Sequence, residues 1–185
     1  MSEVQDYFRR VAPEWDELRR GFFTEAVREA ALAAAALQPG MHVADVGCGT
    51  GFLAEGLAPR VARVYAIDAS PEMLEVACRN LSAHGNVTYL VAPGDAIPLP
   101  SGSLDACLAN MYLHHCPDPA LAIREMARLL RPGGVLVLTD MDRHQQEWMK
   151  QEMADLWLGF ERPEVARWFA EAGLEQVSVA GSGET

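Results

Sequence analysis

Five short runs rich in β-branched and apolar residues recur along the chain, at 42–46 (HVADV), 63–67 (RVYAI), 87–91 (VTYLV), 104–109 (LDACLA) and 135–139 (VLVLT). Between them, residues 51–60, 71–84 and 118–131 space their apolar positions as helices do. Strands and helices alternating at this interval leave few folds open. Crossovers of that length are right-handed, join parallel neighbours, and cover both faces of the sheet with helices. The punctuation agrees: Ser70, Pro71 and Glu72 read as an N-cap with proline at the first helical position, and RPGG at 131–134 reads as a helix stop before a strand. The expected architecture is an α/β three-layer αβα sandwich with a mostly parallel sheet.

The flanks read differently. Residues 3–20 are expected to be helical, and FFTEAVREAALAAAAL at 22–37 forms a helix ended by QPG. The region 143–172 reads as helices, with ERPEV at 161–165 opening the last, and LEQVSVAG at 174–181 reads as a sixth strand. The expected organisation is a single domain over 1–185, with N-terminal helices at 1–38, a ligand-binding core at 39–140, and substrate-covering helices with a last strand at 141–185. A sheet ending there leaves an unprotected edge, through which copies of the chain could associate.

Composition narrows the partners. Half of the 185 residues are hydrophobic, and the net charge is −11 with no stretch that gathers lysine and arginine, so nucleic acid is not an expected partner. The N-terminus has no signal-like apolar region, and the longest apolar run, AALAAAAL at 30–37, is too short to span a bilayer. No membrane association and a cytoplasmic location are therefore expected. Cys48, Cys78, Cys107 and Cys116 form no CxxC pair, which argues for mostly buried thiols rather than disulfides or a zinc site.

The chemistry starts in VADVGCGTGF at 43–52. Gly47, Gly49 and Gly51 follow the first strand and lead into a helix, the turn at which doubly wound sheets bind ligands. Residues without side chains let a ligand touch the backbone, and the helix start offers free N–H groups. A dinucleotide-binding loop places its third glycine three positions after the second, where this chain has Phe52. Asp45 instead stands two residues before the first glycine; a carboxylate there repels a pyrophosphate and attracts a cation. A nicotinamide-dependent oxidoreductase is thus the weaker reading. Asp68 lies 17 residues beyond Gly51, near the interval at which ribose-binding acids occur.

Four stretches in order resemble the class I S-adenosylmethionine-dependent methyltransferases: VADVGCGTG, VYAIDAS, APGDAIPLP, and SLDACLANMYLHHCPDP with EMARLLRPGGVLVLTD. The resemblance covers 43–140 and implies a Rossmann-like fold, S-adenosyl-L-methionine as cofactor and S-adenosyl-L-homocysteine as product. It implies cofactor contacts from Asp45, Gly47, Cys48, Gly49 and Gly51, from Asp68, Ala69 and Met73, from Gly94, Asp95 and Ala96, and from Asn110 and Met111. Trp15, in an N-terminal helix, is expected to close over the cofactor. The flanking RVAPEWDELR and the stretch from 144 to 160 further resemble methyltransferase domains joined to arsenic-repressor-type regulators and, more loosely, ubiquinone and menaquinone C-methyltransferases. Such folds normally add a final antiparallel strand, which this sequence does not show.

Methyl transfer from a sulfonium mainly requires alignment and exclusion of water, so the acceptor has to be read from lining residues. His114 and His115 are candidates for a general base, or else residues that pack beneath the loop. Tyr7, His144 and Trp148 are candidates for the acceptor's surroundings. Asp140, Asp142 and His144 do not have a convincing ligand spacing, and no metal is expected; arsenite is not adopted, since only Cys116 is suitably placed. The expected activity is methyl transfer to a small-molecule acceptor, the alternative being a non-catalytic cofactor-binding domain.

Overall fold

The computed structural model describes residues 2–181. Its sheet contains β1 (His42–Val46), β2 (Arg63–Asp68), β3 (Val87–Val91), β4 (Leu104–Asn110) and β5 (Leu130–Thr139), all parallel, in the order β3-β2-β1-β4-β5. The five strands expected between residues 42 and 139 are all present. β5 begins earlier than expected, because Leu130 pairs with Leu104 before a register shift lets Val135 pair with Ala106.

Helices α3 (Glu25–Ala34), α4 (Phe52–Leu57) and α5 (Pro71–Asn80) cover one face, and α6 (Pro119–Leu129) and α8 (Arg162–Glu171) cover the other. Period-two alternation makes this possible: Val43 packs with α3 and α4, whereas Ala44 and Val46 pack with α6. The central strands are buried on both sides, as their near-continuous apolar sequences require. Both α5 and α6 start on a side-chain cap with proline in the first turn; Ser70 accepts from the Met73 N–H and Asp118 from the Leu121 N–H.

Residues 3–20 are helical as expected, in short pieces: α1 (Glu3–Val11) and α2 (Trp15–Leu18) are joined by a 3-10 turn at Ala12–Glu14, where Pro13 has no N–H to continue the first. Two expectations need correction. The region 143–172 contains only the short α7 (Trp148–Glu152) and α8, joined by an extended strap in which Phe160 bridges to Asp142. The sixth strand is not formed. Gln176 has φ 55°, the Leu174 N–H turns back to the Phe169 carbonyl, and the following residues to 181 are mostly exposed and make no ladder. Among the described residues there is no antiparallel strand, and the outer edge of β5 is unpaired. No helix among them is long and apolar enough to cross a membrane.

Candidate functional site

The strand order reverses between β1 and β4, and a cavity of about 580 Å³ opens at their carboxyl ends. Loops following β1, β2, β3 and β4 all contribute to its wall, including Gly47, Cys48 and Gly49, then Asp68 and Ala69, then Gly94 and Asp95, then Asn110 and Met111. Asp45 reaches the same wall from within β1, and Trp15 from α2.

Asp68 organises the glycine loop. Its Oδ2 accepts from the Gly49 N–H at 2.8 Å and its Oδ1 from the Ser70 N–H at 2.9 Å, so one carboxylate fixes the turn after β1 to the end of β2. Burial raises its pKa against the opposing pull of these backbone donors. Asp45 is almost fully buried, and its Oδ2 accepts from the Ala54 N–H at 2.9 Å. That N–H belongs to the first turn of α4, whose N-cap position is held by Gly51, a residue with no side chain to offer. Burial pushes the Asp45 carboxyl up to about 7, and the nearby Asp68 adds to the rise.

The glycines have more than one reason to be glycine. A Cβ at Gly47 or at Gly94 would overlap the ring of Tyr112, which packs between the two loops. Gly51, with φ 94°, lies against Leu81 and is not on the cavity wall. Gly49 alone of the three loop glycines leaves room for a Cβ, which would meet Trp15 Nε1 at an ordinary contact distance of 3.5 Å. Tyr112 is therefore a site residue that the sequence reading missed. Its inward position follows from Met111, held at φ 50°, an unusual conformation for a residue with a side chain.

The lid side is built from α1 and α2. Phe8 lies edge-on to Trp15, with ring centroids 5.4 Å apart, and edge-on to His115, at 4.8 Å. Both aromatics and His115 line the cavity, together with Leu53 and Leu156. Asp16 secures the lid by accepting from Thr50 Oγ1 at 2.7 Å and Asn80 Nδ2 at 2.9 Å.

The remaining expected residues lie elsewhere. Met73 is buried beneath the lid with Ala12 and Val76, and Ala96 is exposed beside the cavity rather than on its wall. Tyr7 is buried with its hydroxyl 3.3 Å from Met153 Sδ, Trp148 is exposed and donates to Gln146, and His144 is half-buried off the cavity wall, its backbone N–H donating to the Leu158 carbonyl. Among the described residues, the segment after β5 reaches the cavity wall only through Leu156.

The two adjacent histidines are inequivalent. His114 is buried away from the wall with Nδ1 2.7 Å from Asp140 Oδ1. Burial alone would lower its pKa, but the charge and hydrogen bond of Asp140, with Asp155 beyond, hold it above the ordinary value. His115 borders the cavity; burial, reinforced by His114, pushes its pKa well below the ordinary value and keeps the ring neutral. Asp142 takes no part, since Arg162 pairs with it at the surface.

A parallel sheet with a bare turn after β1, an acid at the tip of β2 and a cavity at the strand reversal defines a Rossmann-like domain that binds a nucleotide-containing cofactor. Residues 44–138 match the methyltransferase domain family, and the chain belongs to the class I S-adenosylmethionine-dependent methyltransferases. It is 32% identical over 178 residues to 2-methyl-6-phytyl-1,4-hydroquinone methyltransferase 1, chloroplastic, of Oryza sativa subsp. japonica, covering 94% of this chain and 53% of that protein. It is 42% identical over 114 residues to a ubiquinone biosynthesis O-methyltransferase of Xanthomonas campestris pv. campestris (strain B100), covering 60% of this chain and 48% of that protein. Among solved structures, a SAM dependent methyltransferase from Aquifex aeolicus superposes with TM-score 0.67 at 27% identity, over 79% of this chain and 78% of that one. The chain spans about half the length of these two curated relatives.

Proposed function

We propose that this chain, acting as a single domain, transfers a methyl group from S-adenosylmethionine to a small, largely apolar acceptor that carries an ionisable hydroxyl, such as a hydroquinone or phenol. One observation carries the reading: a single cavity runs from Asp68 and the glycine loop to a wall of Phe8, Leu156 and neutral His115. The residues present fit the cofactor. Asp68 spends one bond per oxygen on backbone donors and retains lone pairs for ribose hydroxyls, and buried Asp45 supplies negative charge for a cationic ligand.

When bound, S-adenosylmethionine supplies a methyl group on a sulfonium whose departure leaves a neutral thioether. The protein's work is to align and to keep water out. Trp15 and Phe8 close the lid, Leu53 and Leu156 take up the apolar body of the acceptor, and His115 meets its hydroxyl. The hydroxyl proton passes to water, and the acceptor oxygen reacts as the phenolate, whose charge is cancelled as it gains the methyl group. The net charge of −11 disfavours strongly anionic acceptors. The relatives named for hydroquinone and ubiquinone-precursor methylation support the same acceptor class. Four free thiols support a reducing, cytoplasmic setting, and the unpaired edge of β5 supports self-association.

The test is calorimetric titration with S-adenosylhomocysteine, followed by a panel of hydroquinones and phenols with S-adenosylhomocysteine formation as readout. Binding followed by turnover on a phenolic acceptor supports the reading. Binding without turnover on any acceptor reduces the chain to a cofactor-binding domain, and no binding overturns both.

A further inference from the structure

We propose that His114, His115 and Asp155 form a binding site for a divalent transition-metal cation of the zinc class at the acceptor side of the cavity. One ligand atom from each lies within 4.8 Å of the others. His114 Nε2 and His115 Nδ1 each stand 3.8 Å from Asp155 Oδ1. That separation is too long for a hydrogen bond, so three buried polar groups converge without bonding one another. The second carboxylate oxygen of Asp155 is also buried and has no hydrogen-bond partner, although the residue is only 4% exposed. A buried carboxylate with an unpartnered oxygen costs free energy that a cation would offset.

The surroundings are built to hold this arrangement. Asp140 fixes His114 through Nδ1 at 2.7 Å, which leaves Nε2 directed at Asp155. A carboxylate behind a ligating imidazole is the usual support for a metal-bound histidine. Asp140 is itself held by the N–H groups of Leu113 and Met141, at 2.8 Å each. The segment carrying Asp155 is clamped across the histidines, because the N–H groups of Leu156 and Trp157 both donate to the His114 carbonyl. Ala154, immediately before it, is held at φ 57°, a strained conformation for alanine and one that sets the direction of the next side chain.

The donor set selects the ion. Two imidazoles and one carboxylate suit zinc, cobalt or ferrous iron rather than calcium or magnesium, which favour oxygen. Bonds of about 2.0–2.1 Å in tetrahedral geometry bring ligands to about 3.3 Å apart. The 3.8 Å separations need to close by about half an ångström and the widest by roughly 1.5 Å, with His115 Nδ1 giving up its 3.3 Å contact to the Ala154 carbonyl. Three protein ligands leave a further position, and His115 and Leu156 put the acceptor cavity beside it. This part of the inference rests on the methyl-transfer reading above: there the ion would make an acceptor hydroxyl more acidic. The expected absence of a metal considered Asp140, Asp142 and His144, whereas the converging groups come from His114, His115 and Asp155.

The experiment titrates the full chain with Co²⁺ alone, reading visible absorption for tetrahedral nitrogen and oxygen ligation, and measures Zn²⁺ by equilibrium dialysis. S-adenosylhomocysteine titration runs on the same samples, so a folded cofactor site is scored independently of the metal. One ion per chain is expected, with the cobalt spectrum lost in Asp155→Asn and in His115→Gln and kept in His84→Ala. Asp140→Asn is expected to weaken binding by about 10- to 100-fold. The two ligand variants test the site separately, so misfolding of one leaves the other decisive. No cobalt spectrum in the unaltered chain, or an equal one in a ligand variant that still binds S-adenosylhomocysteine, would overturn the proposal while leaving the cofactor reading intact.

Discussion

Asp16 and Thr50 are joined by a 2.7 Å hydrogen bond that ties the N-terminal lid to the glycine loop. The same carboxylate accepts from Asn80 and pairs with Arg19, so it links α2, the loop and the end of α5. Burial would raise its pKa, but these hydrogen bonds outweigh that effect and lower it. Asp16→Ala is expected to free the lid without unfolding the sheet, since Trp15 would lose its anchor over Gly49. The expected result is roughly three- to tenfold weaker S-adenosylhomocysteine binding and faster proteolysis within residues 3–20. Unchanged values for both would remove Asp16 from the lid's attachment.

Asp68 holds the glycine loop and, in the proposed function, meets the ribose, so its removal should show both. Asp68→Ala deletes the carboxylate that holds Gly49 and Ser70 and the oxygens left to meet a ribose. Cofactor binding is expected to weaken by about 2–3 kcal/mol, the scale of two charge-assisted hydrogen bonds. Calorimetry with S-adenosylhomocysteine measures this directly. An affinity equal to that of the unaltered chain would exclude the residue from the site.

The sequence shows the parallel sheet and its glycine-rich turn because they depend on local features: β-branched runs, N-caps such as Ser70 and Asp118, and glycines at a strand end. Asp45 shows where sequence alone stops. Its position before the glycines suggests a ligand contact, but its bond to the Ala54 N–H depends on which face of β1 meets α4. His114 and His115 are adjacent in sequence, yet only the tight turn they share decides that one faces Asp140 and the other the cavity. Tyr112 was not identifiable because its direction follows from the dihedral of Met111. The expected sixth strand failed for a different reason: LEQVSVAG has strand-like residues, but extended backbone needs a partner ladder, and Gln176 interrupts the run.

Asp45 makes the protein's pH behaviour informative. Its folded pKa of about 7 lies above the ordinary aspartate value of 3.8, chiefly because it is buried. Between those values the unfolded chain releases a proton that the folded chain retains, so this group's contribution to stability declines as pH rises from about 4 to about 7. The decline is on the order of 4 kcal/mol. Asp45→Asn should therefore be the more stable apoprotein at pH 8 and lose that advantage at pH 4, as thermal melts at both values would show. The sign for cofactor binding is opposite: a cationic ligand favours the ionised carboxylate, so S-adenosylmethionine affinity should rise through pH 7 in the native chain. The rise should be smaller in Asp45→Asn, and equal pH profiles for the two proteins would exclude Asp45 as its source.

Tyr112 and Gly94 allow packing and ligand contact to be separated. Gly94 has an ordinary backbone conformation, so its need for glycine is steric: a Cβ there meets the Tyr112 hydroxyl and ring and approaches Val46 at 3.1 Å. Gly94→Ala is expected to cost about 1–3 kcal/mol, the usual range for overpacking. Tyr112→Ala removes the obstruction, so the double variant should recover much of that loss, giving a coupling energy of about 1 kcal/mol or more. Urea denaturation of the four proteins in the cycle measures it. Additive effects would mean that the Tyr112 ring does not set the requirement for glycine at 94. If the ring does set it, S-adenosylhomocysteine titration of the double variant then asks whether the cofactor also needs the bare backbone. Recovered stability with lost binding would assign Gly94 to the ligand as well, whereas recovery of both would make it a packing residue alone.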